Sequence, residues 1–368
     1  MRAEIFIRLD IIAENYRQIR KRLPPNVKTL CVVKADAYGH GAVRVARRLE
    51  SLGVESLGVA TVNEGIELRD NDIKAPILVM SGILPWDEIE PFRAYMLTPV
   101  VYHFDGLKRL EGYLSKRGSK MKVHIKFDTG MGRLGFMKED ASILIDNLKR
   151  QDAIYVEGLM SHFSSSEKRD EYGLNQVKMF KEIIGLFKDN GVSLEVVHMA
   201  NTGAIINYPE AHFDMVRIGI GLYGSSPSIE LRDVLGLSQV MKVVSRIAFI
   251  KDFDVGYLLS YGRTYTTEKK TRVAYVPVGY SDGYPRALSN KAKVLVNGRR
   301  CNLIGRVCMD WLLVDITEID SAYSGDEVIL LGRGDGDTIT ADELAVLADT
   351  IPYEVLCNIS KRIPKTYV

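Results

Sequence analysis

Short apolar runs alternate with longer stretches of helical period through the first part of the chain. The runs are TLCVVK (29–34), SLGVA (56–60), PILVM (76–80), LTPVVY (97–102), KVHIKF (122–127), IYVEGLM (154–160), LEVVHMA (194–200) and FDMVRIG (213–219). Near-continuous apolar character marks strands covered on both faces. Between most of them lie AVRVARRLESL, EGIELRD, FDGLKRLEGYLSK and NQVKMFKEIIGLFKDNG, with apolar residues at helical spacing. Eight strands alternating with helices predict an α/β fold, a closed (β/α)8 barrel of the TIM type; a doubly wound open sheet would suit a shorter series.

After about residue 225 the pattern changes. QVMKVVSRIAFIKDF, TRVAYVPVGY, KVLVNGRRCNLIGRV, WLLVDIT and DEVILLG are β-type runs punctuated by NG, DG and GDG turns, with one helical stretch, ADELAVLADTI. This predicts a mainly β second domain. EIFIRLD at the start reads as a strand that pairs with it, ahead of a helix for which Asp10 is the expected N-cap. The expected division is a barrel over 9–230, with 1–8 and 231–368 forming the second body.

Bulk composition narrows the function classes. Lys and Arg total 49 against 47 Asp and Glu in 368 residues, a net charge of +2 that supports neither a nucleic-acid nor an acidic-membrane partner. Hydrophobic residues at 46% allow a sizeable core. MRAEIFIRLD lacks a secretory layout and no run is long enough to span a bilayer, so a cytoplasmic protein is expected. Cysteines 31, 301, 308 and 357 show no metal-ligand rhythm, and no metal site is expected.

In (β/α)8 barrels, functional groups sit at the C-terminal ends of the strands and in the loops that follow. That rule selects Lys34 after the first strand, DTGMGRLG after the fifth and His162 after the sixth. It also selects Asn201 and Thr202 after the seventh, and Arg217 to Gly221 at the eighth. A lysine at the end of a buried strand is costly unless its amine is paired, neutral or covalently used. Lys34 therefore either forms a Schiff base or snorkels from the barrel mouth; strand position alone leaves both open. Tyr38 can offer a hydroxyl to a phosphate. Asn201-Thr202-Gly203-Ala204 resembles a helix start whose donors suit an anion, and glycines in Arg-Ile-Gly-Ile-Gly let bare amides approach one.

Nine separated motifs together resemble the alanine racemase family. They are VVKADAYGHG (32–41), KFDTGMGRLG (126–135), SHFSSSE (161–167), MANTGA (199–204), VRIGIGLYG (216–224), LSYGRTY (259–265), VGYSDGYPR (278–286), IGRVCMDW (304–311) and YEVLCNI (353–359). The resemblance implies a bacterial enzyme that uses pyridoxal 5′-phosphate to interconvert L- and D-alanine and so supplies D-alanine for peptidoglycan. It also implies a homodimer whose sites are shared between subunits. Lys34 would carry the cofactor, with Tyr38, Thr202, Gly219 and Ile220 at its phosphate and Arg217 at the pyridine nitrogen. Asn201, His162 and Tyr353 would line the cofactor site. Tyr261 of the partner subunit would be the second catalytic base, opposite Lys34. Arg133 and the Met309 amide would orient the substrate carboxylate, with Lys126, Asp310 and Tyr280 in support. In many relatives the lysine matching Lys126 is carbamylated and braces the arginine matching Arg133.

Two bases on opposite faces satisfy what racemisation requires, removal of the α-proton from one side and its return on the other. Tyr261 starts from a reference pKa of about 10 and needs cationic or hydrogen-bonding neighbours, for which Arg133 and His162 are the candidates. Arg217, with an ordinary arginine pKa above about 12, would oppose protonation of the ring nitrogen and so disfavour transamination. Two other functions fit parts of the chain. A pyridoxal-phosphate carrier on a single barrel would need neither a second domain nor Tyr261. A racemase of broader or serine specificity would differ only in its pocket.

Overall fold

The computed structural model describes residues 2–226 and 228–368. Strand β1 (Ala3–Ile7) opens the chain and is followed by the helix Leu9–Arg20. Eight parallel strands then close into a barrel. They are β2 (Lys28–Val32), β3 (Ser56–Val59), β4 (Ile77–Val79), β5 (Leu97–Val101), β6 (Met121–Lys126), β7 (Ile154–Met160), β8 (Val196–His198) and β9 (Met215–Ile218). Closure is the pairing of β9 with β2, where Leu30 lies opposite Arg217 and Cys31 opposite Ile218. The fold class expected from the apolar runs is therefore the one observed.

Outer helices bury one stripe each. Gly106, Leu107, Leu110 and Leu114 are the covered positions of Phe104–Ser115, and Val177, Phe180, Ile184 and Phe187 are among those of Glu171–Asp189. Side chains fix where these helices begin: Asp170 caps Glu171–Asp189, and Thr61 forms a capping box with Glu64. The first helix differs from expectation. Its N-cap is Arg8, and Asp10 sits inside the first turn, where it bonds the Arg8 guanidinium at 2.6 and 3.0 Å. There Asp10 complements the positive end of the helix instead of capping it.

The second body is built on a sheet in which β1 lies between two C-terminal strands. It pairs antiparallel with β10 (Met241–Arg246) and parallel with Lys365–Tyr367. A three-stranded sheet of Phe249–Phe253, Thr271–Val276 and Leu312–Asp315 stands beside a short hairpin, Leu258–Leu259 with Tyr265–Thr266. The end of the chain also reaches the barrel mouth. Lys365 Nζ bonds Asp36 Oδ2 at 2.6 Å, and Leu356 packs its carbonyl against Gly39.

Candidate active site

Strand β2 ends at Val32, and Lys34 opens a left-handed helical turn. Ala35, Asp36, Ala37 and Tyr38 have φ of 53°, 54°, 53° and 52°. Left-handed backbone costs about 1–2 kcal/mol for each such non-glycine residue, so the turn stores roughly 4–8 kcal/mol. Specific bonds hold it. Ala35 N–H donates to Glu64 Oε1 at 2.7 Å, while the other Glu64 oxygen accepts Ala60 N–H at 2.7 Å. Asp36 accepts Ala42 N–H at 2.8 Å and the Lys365 ammonium. His40 Nδ1 lies 2.9 Å from the Tyr38 carbonyl. The Tyr38 ring is flanked by Tyr223 at 4.8 Å and Tyr353 at 5.9 Å.

This geometry aims Tyr38 at the end of β9. A Cβ built on Gly219 would come 3.1 Å from the Tyr38 hydroxyl. Gly219 N–H donates to Thr202 Oγ1 at 3.1 Å, which ties the last two loops together. Thr202 opens the helix Thr202–Asn207, with Asn201 Oδ1 accepting Ala204 N–H as the cap. Tyr38, Thr202, Gly219 and Ile220 thus border one small cradle, and Asn201 is engaged in shaping it.

Beside the cradle lies an excess of positive charge. Burial, and then Arg133, hold the Lys34 amine below its ordinary value. Lys126 is pushed down to about 8 by burial, with Arg217 and Arg133 adding to the effect. Arg217 is fully covered and pushed down to about 9 by burial and Arg133, which corrects the unperturbed value expected from sequence but leaves it cationic at neutral pH. Its guanidinium donates to His198 Nδ1 at 2.9 Å, Ser161 O at 2.7 Å, His162 Nδ1 at 2.9 Å and Met199 O at 2.8 Å. All four acceptors are uncharged. His162 is held well below its ordinary value by burial and then by Arg217, so it is a neutral hydrogen-bonding group and not a cation.

The loop after β6 is organised by Asp128. Its Oδ1 accepts the N–H groups of Gly130, Met131 and Gly132 at 2.8, 2.8 and 3.1 Å, and Oδ2 accepts Arg133 N–H at 2.8 Å. Burial raises the Asp128 pKa, but the four N–H groups outweigh it and the net shift is downward. Glu64, His124 and His198 escaped sequence reasoning, and Asp128 enters it only as the first residue of DTGMGRLG, without a role of its own. Asp128 had left a readable sign, an aspartate ahead of two closely spaced glycines.

The structure gathers Lys34, Tyr38, Lys126, Arg133, His162, Asn201, Thr202, Arg217, Gly219, Ile220 and Tyr353 around the barrel mouth. Tyr261, Tyr280, Met309 and Asp310 lie instead on the outer face of the second body. Tyr261 is 71% exposed and Met309 54%. Tyr280 N–H bonds Cys308 O, Ser281 bonds both Met309 and Asp310, and Arg362 reaches Asp310 at 2.5 Å. Among the described residues, no hydrogen bond or ring contact joins Tyr261 to the mouth of its own barrel.

Models of the two alanine racemase domains match this chain, the N-terminal domain over residues 7–227 and the C-terminal domain over 240–367. The chain belongs to the alanine racemase family. It is 40% identical over 364 residues to alanine racemase 2 of Caldanaerobacter subterraneus subsp. tengcongensis, covering 98% of this chain and 94% of that relative. Identity to an alanine racemase of Clostridium perfringens is 42% over 364 residues, again with 98% and 94% coverage. The solved alanine racemase of Streptomyces lavendulae superposes with a TM-score of 0.95 at 34% identity, over 100% of this chain and 97% of that one. A match that extends through the C-terminal domain disfavours a single-barrel carrier.

Proposed function

We propose that this protein interconverts L-alanine and D-alanine with pyridoxal 5′-phosphate, and that each active site uses Lys34 of one subunit and Tyr261 of the partner subunit. The observation that carries this reading is the convergence at one barrel mouth of a half-buried lysine, a hydroxyl-lined glycine cradle and two further cations, Arg133 and Arg217. A phosphorylated aromatic aldehyde matches that set. Its phosphate suits Tyr38, Thr202 and the Gly219 and Ile220 amides, its carbonyl suits the Lys34 amine, and its ring nitrogen suits Arg217. Asn201, His162 and Tyr353 complete the walls.

The cofactor supplies an electron sink that acidifies the substrate α-proton. The protein's own groups handle that proton. Lys34 Nζ exchanges it on one face, and its desolvated position favours the neutral amine that a base requires. The Tyr261 hydroxyl of the partner subunit serves the other face. Arg133, anchored through its backbone to Asp128, binds the substrate carboxylate together with the Met309 amide of the partner subunit. Asp310 and Tyr280 shape that contributed edge. Lys126, with its amine near 8, is the position at which a carbamate would offset the surrounding cations.

A shared site explains why Tyr261 and Met309 stand exposed on the face of an isolated chain. On this reading 9–230 is the cofactor-binding body, and 1–8 with 231–368 donates to the partner. No described helix is long and apolar enough to cross a membrane, and we place the reaction in the cytoplasm. Incubating cofactor-loaded protein with either alanine enantiomer in deuterium oxide tests the reading. The opposite enantiomer should appear with deuterium at Cα. Bound cofactor without interconversion would contradict it.

A further inference from the structure

A file of side chains runs along the barrel interior from the opposite end of the strands to Arg217. Lys122 Nζ donates to Glu157 Oε1 at 2.8 Å, and Glu157 Oε2 lies 3.3 Å from His124 Nε2. His124 Nδ1 is 2.7 Å from His198 Nε2, and His198 Nδ1 accepts from Arg217 at 2.9 Å. Both histidines are buried. The far end borders a cavity of about 320 Å³ whose lining includes Lys28, Glu55, Glu157, Glu195 and His124.

Two backbone features seat this file. Pairing between β6 and β7 steps from Val123↔Val156 to His124↔Gly158, so Glu157 is left without a partner on β6. Such a bulge is rare between parallel strands and re-aims a side chain. Gly158 then leaves room for the imidazole, since a Cβ there would come 3.0 Å from His124 Cε1 and 2.8 Å from Val196.

The two ends of the file dictate its polarity. Arg217 can only donate and the Glu157 carboxylate can only accept. His198 must therefore present a bare Nδ1 to Arg217 and carry its proton on Nε2. His124 then presents a bare Nδ1 to His198 and carries its proton on Nε2, toward Glu157. A second proton on His124 would force His198 to take its own proton on Nδ1, and two donors would face each other at the Arg217 contact. Glu157 is held at about 2, first by the His124 bond, against burial and with help from Lys122, so the acceptor end persists through the neutral range.

We propose that Glu157, acting through His124 and His198, is a positioning residue that fixes the orientation of Arg217 at the barrel mouth. Its consequence for catalysis rests on the placement of Arg217 at the cofactor's ring nitrogen proposed above; the proton arrangement does not. Imidazole 15N NMR on the intact protein near neutral pH reads that arrangement directly. Bare Nδ1 and protonated Nε2 are expected at both His124 and His198. A protonated Nδ1 on His198, or a doubly protonated His124, overturns the proposal without any variant.

Two substitutions test the consequence. Glu157→Gln retains an acceptor, whereas Glu157→Met has a similar shape and none. The methionine variant should lose the single tautomer of His198. Its kcat should fall about tenfold to a hundredfold, the range for outer partners that orient a functional group, with little change in KM. The glutamine variant should keep both the tautomer and most of kcat. Equal losses in the two variants, or none in either, would assign Glu157 to the fold alone. Racemisation by wild-type protein, measured alongside, separates failure of this inference from failure of the proposed function.

Discussion

Asp128→Asn isolates the loop that presents Arg133. The carboxylate accepts four backbone N–H groups, three at Oδ1 and the Arg133 amide at Oδ2. An asparagine can place its carbonyl at the Oδ1 position and keep three bonds in weaker, uncharged form. Its NH2 group then faces the Arg133 N–H, donor against donor. A hydrogen bond to a charged partner contributes about 1.5–3 kcal/mol, so losing one and weakening three should cost roughly 2–4 kcal/mol of stability. Arg133 loses its backbone anchor as well, and kcat/KM for alanine should fall about tenfold to a hundredfold, mostly through KM. Denaturant unfolding of the loaded protein and steady-state racemisation measure the two effects. The sign of the pH dependence follows from the downward shift at Asp128. Its contribution to stability is present above the ordinary carboxylate value and lost as pH falls through the lower folded value, and the variant should lack that acid-side component. Stability within about 0.5 kcal/mol of wild type, the usual effect of an unremarkable surface change, together with an unchanged KM, would refute this role for Asp128.

Other substitutions probe the turn and the cationic cluster. Ala35→Gly should be neutral or stabilising by up to about 1 kcal/mol, because relief of left-handed strain offsets the greater freedom of the unfolded chain. Ala35→Val should cost about 2 kcal/mol or more for the opposite reason, and equal melting temperatures for the two would contradict the strained turn. Arg217→Glu should lower racemisation and increase the share of turnovers ending in transamination; product analysis showing an unchanged partition would rule out its proposed role. Lys126, held at about 8 against an ordinary 10.5, binds fewer protons folded than unfolded between those values. Stability of the cofactor-free protein, kept free of carbon dioxide, should therefore rise with pH across that window. Lys126→Met should flatten the rise, and identical slopes would contradict the shift.

The barrel was legible because its eight strands are covered on both faces and so are written as apolar runs. The rule that places chemistry at their C-terminal ends then selected Lys34, Arg133, Thr202 and Arg217 without reference to any relative. Three features were not legible. Nothing in Ala35-Asp36-Ala37-Tyr38 signals left-handed backbone, since alanine has no preference for it; the turn is held by Ala42 close by and by Glu64 and Lys365, distant in sequence. The file from Glu157 to Arg217 depends on a bulge and on four strands meeting, and its histidines look like isolated polar residues in apolar runs. The helix start was misplaced because Asp10 has the composition of a cap, while the Arg8 guanidinium, two residues earlier, engages its carboxylate.

Sharing of the active site between subunits is tested most directly by mixing two inactive homodimers, Lys34→Ala and Tyr261→Ala. After complete subunit exchange, half of the dimers are mixed and each holds one intact site, so about a quarter of wild-type activity should return. If verified exchange restores none, Lys34 and Tyr261 do not act together across a dimer, and the two-base site proposed for this chain is wrong.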